Sequence, residues 1–168
     1  ADRRLAALAA SDPTGALLAP APGVGAVTAS ALVATIDEIT RFRSAHELAA
    51  YLGLVPGEKS SGEKRRLGRI TKAGNSRARW LLVEAAWRIV RAKGDDTAAL
   101  RAWAQSIATR RGKRIAVVAL ARRLAGIVYA MWRDGTAYGI DETRLRSQFL
   151  KIASSQPIRW DDHWVATV

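Results

Sequence analysis

The chain has 168 residues, 49% of them hydrophobic and six of them Trp, enough for one packed domain or one domain with an appendage. It has no cysteine, which excludes disulfides, thiolate zinc sites and cysteine nucleophiles. The formal net charge of +12 is larger than solubility alone requires, and nucleic acid is the commonest polyanion that such an excess serves.

Residues 3–10 read as the end of a helix, broken by Ser11-Asp12-Pro13, and residues 14–19 as one short helical turn. Ala21-Pro22-Gly23-Val24-Gly25 reads as a tight turn, followed by an apolar helix to about Ile36 and a connector over Asp37–Arg43. Ser44-Ala45-His46-Glu47 has the spacing of a capping box, opening a helix that runs to Leu52 and stops at Gly53. Residues 54–74 are rich in glycine and charge and predict a hairpin with strands at 54–60 and 66–71. Asn75 caps a helix from Ser76 to Lys93, with Trp80, Val83, Ala86, Trp87 and Val90 as its core face, and Gly94 ends it. Asp95 or Asp96 caps the next helix, to about Arg110, and Gly112 breaks the chain again. Ile115–Trp132 forms a strong helix ended by Gly135, and Asp141 opens a last one through Ala153, before a tail without a period. The fold class is therefore mainly α, a helical domain with a helix-hairpin-helix-like element and at most one small β-hairpin. It divides into a connecting helix and linker at 1–16, a main domain at 17–135, and a C-terminal helix and tail at 136–168.

No apolar run reaches the ~18 uninterrupted residues that span a bilayer. Ile115–Met131 comes closest, with Arg122 and Arg123 inside it. No membrane partner and no signal peptide are expected. The start at Ala1 reads as internal to a longer protein. The alanine and arginine bias fits a GC-rich bacterial genome, and the expected location is the cytoplasm, on the nucleoid.

Two stretches have the chemistry of nucleic-acid contact. Around Gly23, Val24 and Gly25, glycines permit a sharp turn and a close approach to a phosphate, and amides at the next helix start would face the anion. Such a grip is blind to sequence. The same residues serve equally as an ordinary helix corner. From Gly57 to Arg79 stand Lys59, Lys64, Arg65, Arg66, Arg69, Lys72, Arg77 and Arg79 against only Glu58 and Glu63, which concentrates half of the net charge in this one segment. Binding through these groups falls steeply with salt. Ser60-Ser61-Gly62 lies among them. A serine hydroxyl needs a base or a cationic surround before it attacks phosphorus, and arginine and lysine supply the second. Arg110, Arg111, Lys113 and Arg114 form another basic knot, either an extension of that surface or simply solvated. His46 reads as a surface helix residue, and His163 in the tail as no metal ligand.

The ordered set Gly53-Leu54-Val55-Pro56, Ser61-Gly62, Gly68-Arg69-Ile70-Thr71-Lys72-Ala73-Gly74-Asn75, Arg79 and Leu82, with Pro22-Gly23-Val24-Gly25 and Ala50-Tyr51-Leu52 upstream, resembles a family. Its members are insertion-sequence transposases with an N-terminal RuvC-like nuclease domain and a C-terminal serine-containing domain, also described as bridge-RNA-guided recombinases. The resemblance covers about residues 17–93 and reaches the C-terminal domain only. It implies that Ser61, or its neighbour Ser60, attacks a DNA phosphodiester and forms a covalent phosphoserine link. It implies DNA, a guide RNA and further copies of the chain as partners. No cofactor or metal site is expected in this chain. A divalent ion, Mg, is expected in the acidic nuclease half, which this sequence does not contain, so that the chain alone would bind nucleic acid without recombining it. Two alternatives remain: a non-catalytic helix-hairpin-helix DNA-binding module, and a guide-RNA-binding or assembly domain.

Overall fold

The computed structural model describes residues 12–58 and 67–138. The expected helices at 3–10 and from Asp141, the tail, and Lys59, Ser60, Ser61, Lys64, Arg65 and Arg66 lie outside the described residues.

Six α-helices and one two-stranded antiparallel sheet make up the described fold. Helix α1 (Pro13–Leu18) begins where the sequence places a break. Asp12 accepts hydrogen bonds from the Thr14 and Gly15 amides, and Pro13 occupies the first turn, where its missing N–H costs nothing. Helix α2 (Gly25–Ile36) follows the glycine corner, and a 3-10 turn at Ile39–Arg41 leads to α3 (Ala45–Tyr51). Only half of the expected capping box forms. Ser44 Oγ accepts from the Glu47 amide at 3.3 Å, but the Glu47 carboxylate reaches past Ser44 to the Arg43 amide at 2.8 Å. Strands β1 (Pro56–Glu58) and β2 (Leu67–Ile70) form the hairpin. Their register pairs Pro56 with Ile70 and Glu58 with Leu67, so β2 carries one extra residue, a bulge.

Helix α4 (Ser76–Arg91) is capped by Asn75, whose side chain accepts from the Ala78 amide at 3.0 Å. It ends at Arg91, two residues before the expected Lys93, because Ala92 already leaves the helical region. Helix α5 (Ala98–Arg111) is not capped by Asp95 or Asp96. Thr97 holds that position without a side-chain bond, and the Asp95 carbonyl instead accepts from the Ala98 amide. Helix α6 (Lys113–Asp134) closes on Gly135 in the left-handed region.

Helix α6 is the axis on which the rest is assembled: α4, α5, α3 and α1 all pack on it. Its length and composition would let it cross a membrane, and 67% of its most apolar window is buried inside the fold, as befits a core helix. Leu120, Leu124, Ile127 and Met131 are closed from solvent there, together with Leu18, Leu32 and Leu82 from the surrounding helices. Each such side chain contributes about 2 kcal/mol of transfer free energy. The Tyr129 hydroxyl donates to the Phe42 carbonyl at 3.1 Å and ties α6 to the connector.

The core face of α4 is centred to one side of the expected one. Ala78, Leu81, Leu82, Ala85, Ala86 and Ile89 are buried, the expected Val83, Trp87 and Val90 pack half-buried against the core at its edge, and Trp80, expected in the core, is 56% exposed. Both sets recur at helical spacing. The one that wins carries three alanines, which let another backbone come close: a Cβ added at Gly23 would stand 2.6 Å from the Ala85 carbonyl oxygen. Bulk on that side would push the α1–α2 corner off the helix.

Candidate nucleic-acid interface

The hairpin root is a clasp of backbone against backbone. Gly53 ends α3 at φ +70°, and Gly74 precedes α4 at φ +82°. A Cβ on Gly53 would lie 2.1 Å from the Ala73 oxygen, and one on Gly74 would lie 1.8 Å from the Tyr51 oxygen. No side chain fits at either place. The Lys72 amide donates to the Gly53 carbonyl at 3.2 Å, and the Thr71 amide to the Val55 carbonyl at 2.8 Å. Leu54, fully enclosed, anchors the first strand in the core. The glycines and the residues between them thus hold both strands of the hairpin at a fixed place beside α3 and α4.

Arg79 completes the clasp. Its Nη1 donates to the Leu52 carbonyl at 3.1 Å and to the Ala73 carbonyl at 3.3 Å. The guanidinium satisfies a carbonyl at the end of α3, where a helix leaves its last acceptors unpaired and its dipole favours a cation, and a second in the turn before α4. The sequence suggests a phosphate ligand at this position; the structure shows the side chain joining the two sides of the hairpin root.

The other predicted cations of the described segment are exposed: Arg69 on β2, Lys72 just after it, and Arg77 in the first turn of α4. Lys72 holds a positive φ of 54°, uncommon for a residue with a side chain. Arg69, Lys72 and Arg77 therefore gather along the second half of the hairpin root and the start of α4.

The glycine corner lies elsewhere. Gly23 (φ +68°) packs against Ala85 and Ile89, and Val24 is buried in the core. From Arg79 to Ile89 the helix rise alone covers about 15 Å. Gly25, at φ +66°, is exposed with open space where a Cβ would stand. Gly25 has open space before it, but its amide already donates to the Ala19 carbonyl at 3.2 Å, and the corner and the basic root are two places along α4.

Two further charged groups are set by packing. Arg122 of α6 hydrogen-bonds His46 Nδ1 at 3.0 Å. Burial pushes His46 below its usual value, the neighbouring guanidinium adds to this, and Glu47 opposes it. The imidazole thus stays neutral near pH 7 and accepts from Arg122, itself pushed down by burial. Arg123 lies 4.7 Å over the Trp103 ring. Among the described residues no three His, Asp or Glu side chains gather where they could hold a metal ion.

Sequence reasoning named Trp80 and misplaced it. A usable signal existed: Trp80 shares its side of the helix with Arg77, Arg88 and Arg91, three cations that a core face would not accept.

Comparison with known proteins gives a consistent result. A transposase of Pseudomonas aeruginosa, described as a probable family 20 transposase, is 38% identical over 116 residues, covering 69% of this chain and 34% of that protein. The transposase for insertion sequence element IS1111A of Coxiella burnetii is 38% identical over 110 residues, 66% of this chain and 30% of the relative. The transposase for IS1328 of Yersinia enterocolitica is 31% identical over 137 residues, 82% of this chain and 41% of the relative. The chain thus spans roughly a third of the length of the relatives it matches. The profile of the transposase IS116/IS110/IS902 family matches residues 15–102, a stretch that takes in the glycine corner, the hairpin and α4, and over more than half of its length the chain belongs to that family.

Proposed function

We propose that this chain is the serine-bearing, nucleic-acid-binding part of a DNA transposase, in which Ser61 attacks a DNA phosphodiester. One observation carries the reading: the Gly53–Gly74 clasp, locked by Arg79, fixes both strands that lead into and out of residues 59–66, the stretch holding Ser60, Ser61, Lys59, Lys64, Arg65 and Arg66. A nucleophile needs a firm base, because small misplacements cost large factors in rate. The basic residues of that stretch, with Arg69, Lys72 and Arg77 beside it, supply the charge that a phosphoryl transition state requires.

In the step itself the Ser61 hydroxyl loses its proton to solvent or a neighbouring base. An Oγ–P bond forms, a P–O bond to the sugar breaks, and the departing sugar oxygen takes up a proton. The ester count is unchanged, so a second sugar hydroxyl can reverse the reaction on a new strand without a nucleotide cofactor. Ser60 is the second candidate for the same role. The described residues hold no cluster that fits a divalent ion, and no step here passes through one. The Mg site belongs, in this reading, to a RuvC-like nuclease domain outside this sequence, without which the chain binds nucleic acid and does not recombine it. A guide RNA, further copies of the chain and a place on the bacterial nucleoid belong to the same proposal.

The test is Ser61→Ala, with Ser60→Ala beside it, in a complete transposase containing this chain. Recombination is expected to vanish with Ser61→Ala while DNA binding stays within about twofold. Unchanged recombination in both variants would overturn the serine role. It would favour a non-catalytic module gripping DNA backbone at the glycine corner, where open space stands before Gly25.

A further inference from the structure

Helix α4 buries one face in the core, and on the opposite side Trp87 packs only partly against it. Leu82, Ala85 and Ile89 point into the core. On the opposite side, by the 3.6-residue turn, stand Arg77, Trp80, Glu84, Trp87, Arg88 and Arg91. Arg77, Arg88 and Arg91 are exposed, Glu84 and Trp87 half-buried. Trp87 already carries the Arg91 guanidinium over its ring at 5.0 Å. Trp80 presents 56% of its surface to solvent, the most exposed of the large apolar side chains among the described residues.

An exposed indole needs a reason, since burying it would release substantial transfer free energy. A protein partner would favour an apolar surround depleted of charge at its centre. Here the ring stands one turn from Arg77, with Arg88 and Arg91 further along the same side and Glu84 as the one carboxylate on it. An aromatic face flanked by cations is the arrangement that holds unpaired nucleotides: a base stacks on the ring while guanidinium groups take the phosphates. Duplex DNA hides its base faces in its own stack and could use only the arginines.

We infer that the outward face of α4 binds single-stranded nucleic acid, with Trp80 stacking on a base and Arg77, Arg88 and Arg91 holding the backbone. The inference rests on the nucleic-acid reading above and adds to it the surface and the strandedness of the ligand. Unpaired DNA and unpaired RNA share this chemistry. The surface begins at the helix start beside Lys72 and Arg69, so a strand lying on it would lead to the hairpin root.

The test measures binding of the 168-residue chain to labelled oligo(dT), oligo(U) and duplex DNA of equal length at matched salt, by fluorescence anisotropy. Trp80→Ala is expected to weaken both single strands about tenfold and duplex less than about twofold, the loss of one stacked base. Trp80→Phe keeps binding within about threefold, because any aromatic face stacks. Replacing Arg77, Arg88 and Arg91 together by Gln weakens all three ligands and reduces the salt slope by about 2 for the single strands. A stronger loss on oligo(U) or on oligo(dT) tells which source the surface serves. Unchanged single-strand binding by Trp80→Ala overturns the inference and leaves the transposase reading standing. So does an equal loss on all three ligands, or a change in oligomeric state alone by light scattering. Failure of the unaltered chain to bind any of the three would remove both.

Discussion

Two pairs of glycines in this sequence look alike on paper. Gly23 and Gly25 flank the corner between α1 and α2; Gly53 and Gly74 close the hairpin root. All four have positive φ. Their surroundings differ. Gly53 and Gly74 face backbone at distances no side chain could occupy, and Gly23 faces the Ala85 carbonyl almost as tightly. Gly25 faces open space. Three of the four are devices for bringing segments of the protein together, and one has nothing packed before it, its amide bonded to the Ala19 carbonyl within the corner. A glycine-rich motif in a nucleic-acid-binding protein is therefore no sign of a phosphate site until the space before each glycine is known.

That comparison can be broken by substitution. Gly74→Ala should have the largest effect, on the order of 4 kcal/mol, since a positive φ and a backbone collision act together. Loss of the cooperative unfolding transition, or its displacement to much lower temperature, would show it; an unchanged midpoint would refute the clasp. Arg79→Ala comes next. It removes a charged donor from two carbonyls, one of them on the buried Leu52, and should cost about 2 kcal/mol in a denaturant titration. If Arg79 were a phosphate ligand instead, stability would hold and only the salt dependence of nucleic-acid binding would change. Gly25→Ala is the mildest. Nothing collides, so only the left-handed backbone is penalised, by about 1 kcal/mol. Its nucleic-acid affinity sharpens the contrast: weaker binding at nearly full stability would make Gly25 a contact, and equal binding would make it a corner residue.

Much of the architecture was legible because this chain is heavily punctuated. Asn75, Gly53, Gly112 and Gly135 mark element ends by mechanisms that act within a few residues, and the hairpin lies between two of them. What escaped depends on contacts distant in sequence. The aspartates at 95 and 96 have the right chemistry for a cap, but the turn that closes on the Asp95 carbonyl leaves Thr97 at the helix start. Along α4 two apolar stripes compete, and the bulkier one draws attention. The fold buries the alanine-rich stripe because Gly23 has to approach Ala85, a requirement that no window on α4 contains. The structural role of Arg79 escaped for a related reason. Surrounded by cations in sequence, it reads as one of them, while in space its guanidinium meets carbonyls from the end of α3 and the turn before α4. Gly53 and Gly74, both in the set that carries the resemblance, are explained by the clasp itself. The serine chemistry has a different basis, the resemblance together with the density of cations around Ser61.

The most direct measurement is therefore covalent. A complete transposase containing this chain, incubated with a nicked DNA that prevents rejoining, should accumulate a protein–DNA adduct. Peptide mapping by mass spectrometry should then find a nucleotide ester-linked to Ser61. An adduct on a residue outside 59–66, or one that forms equally well with Ser61→Ala and Ser60→Ala combined, would contradict the account.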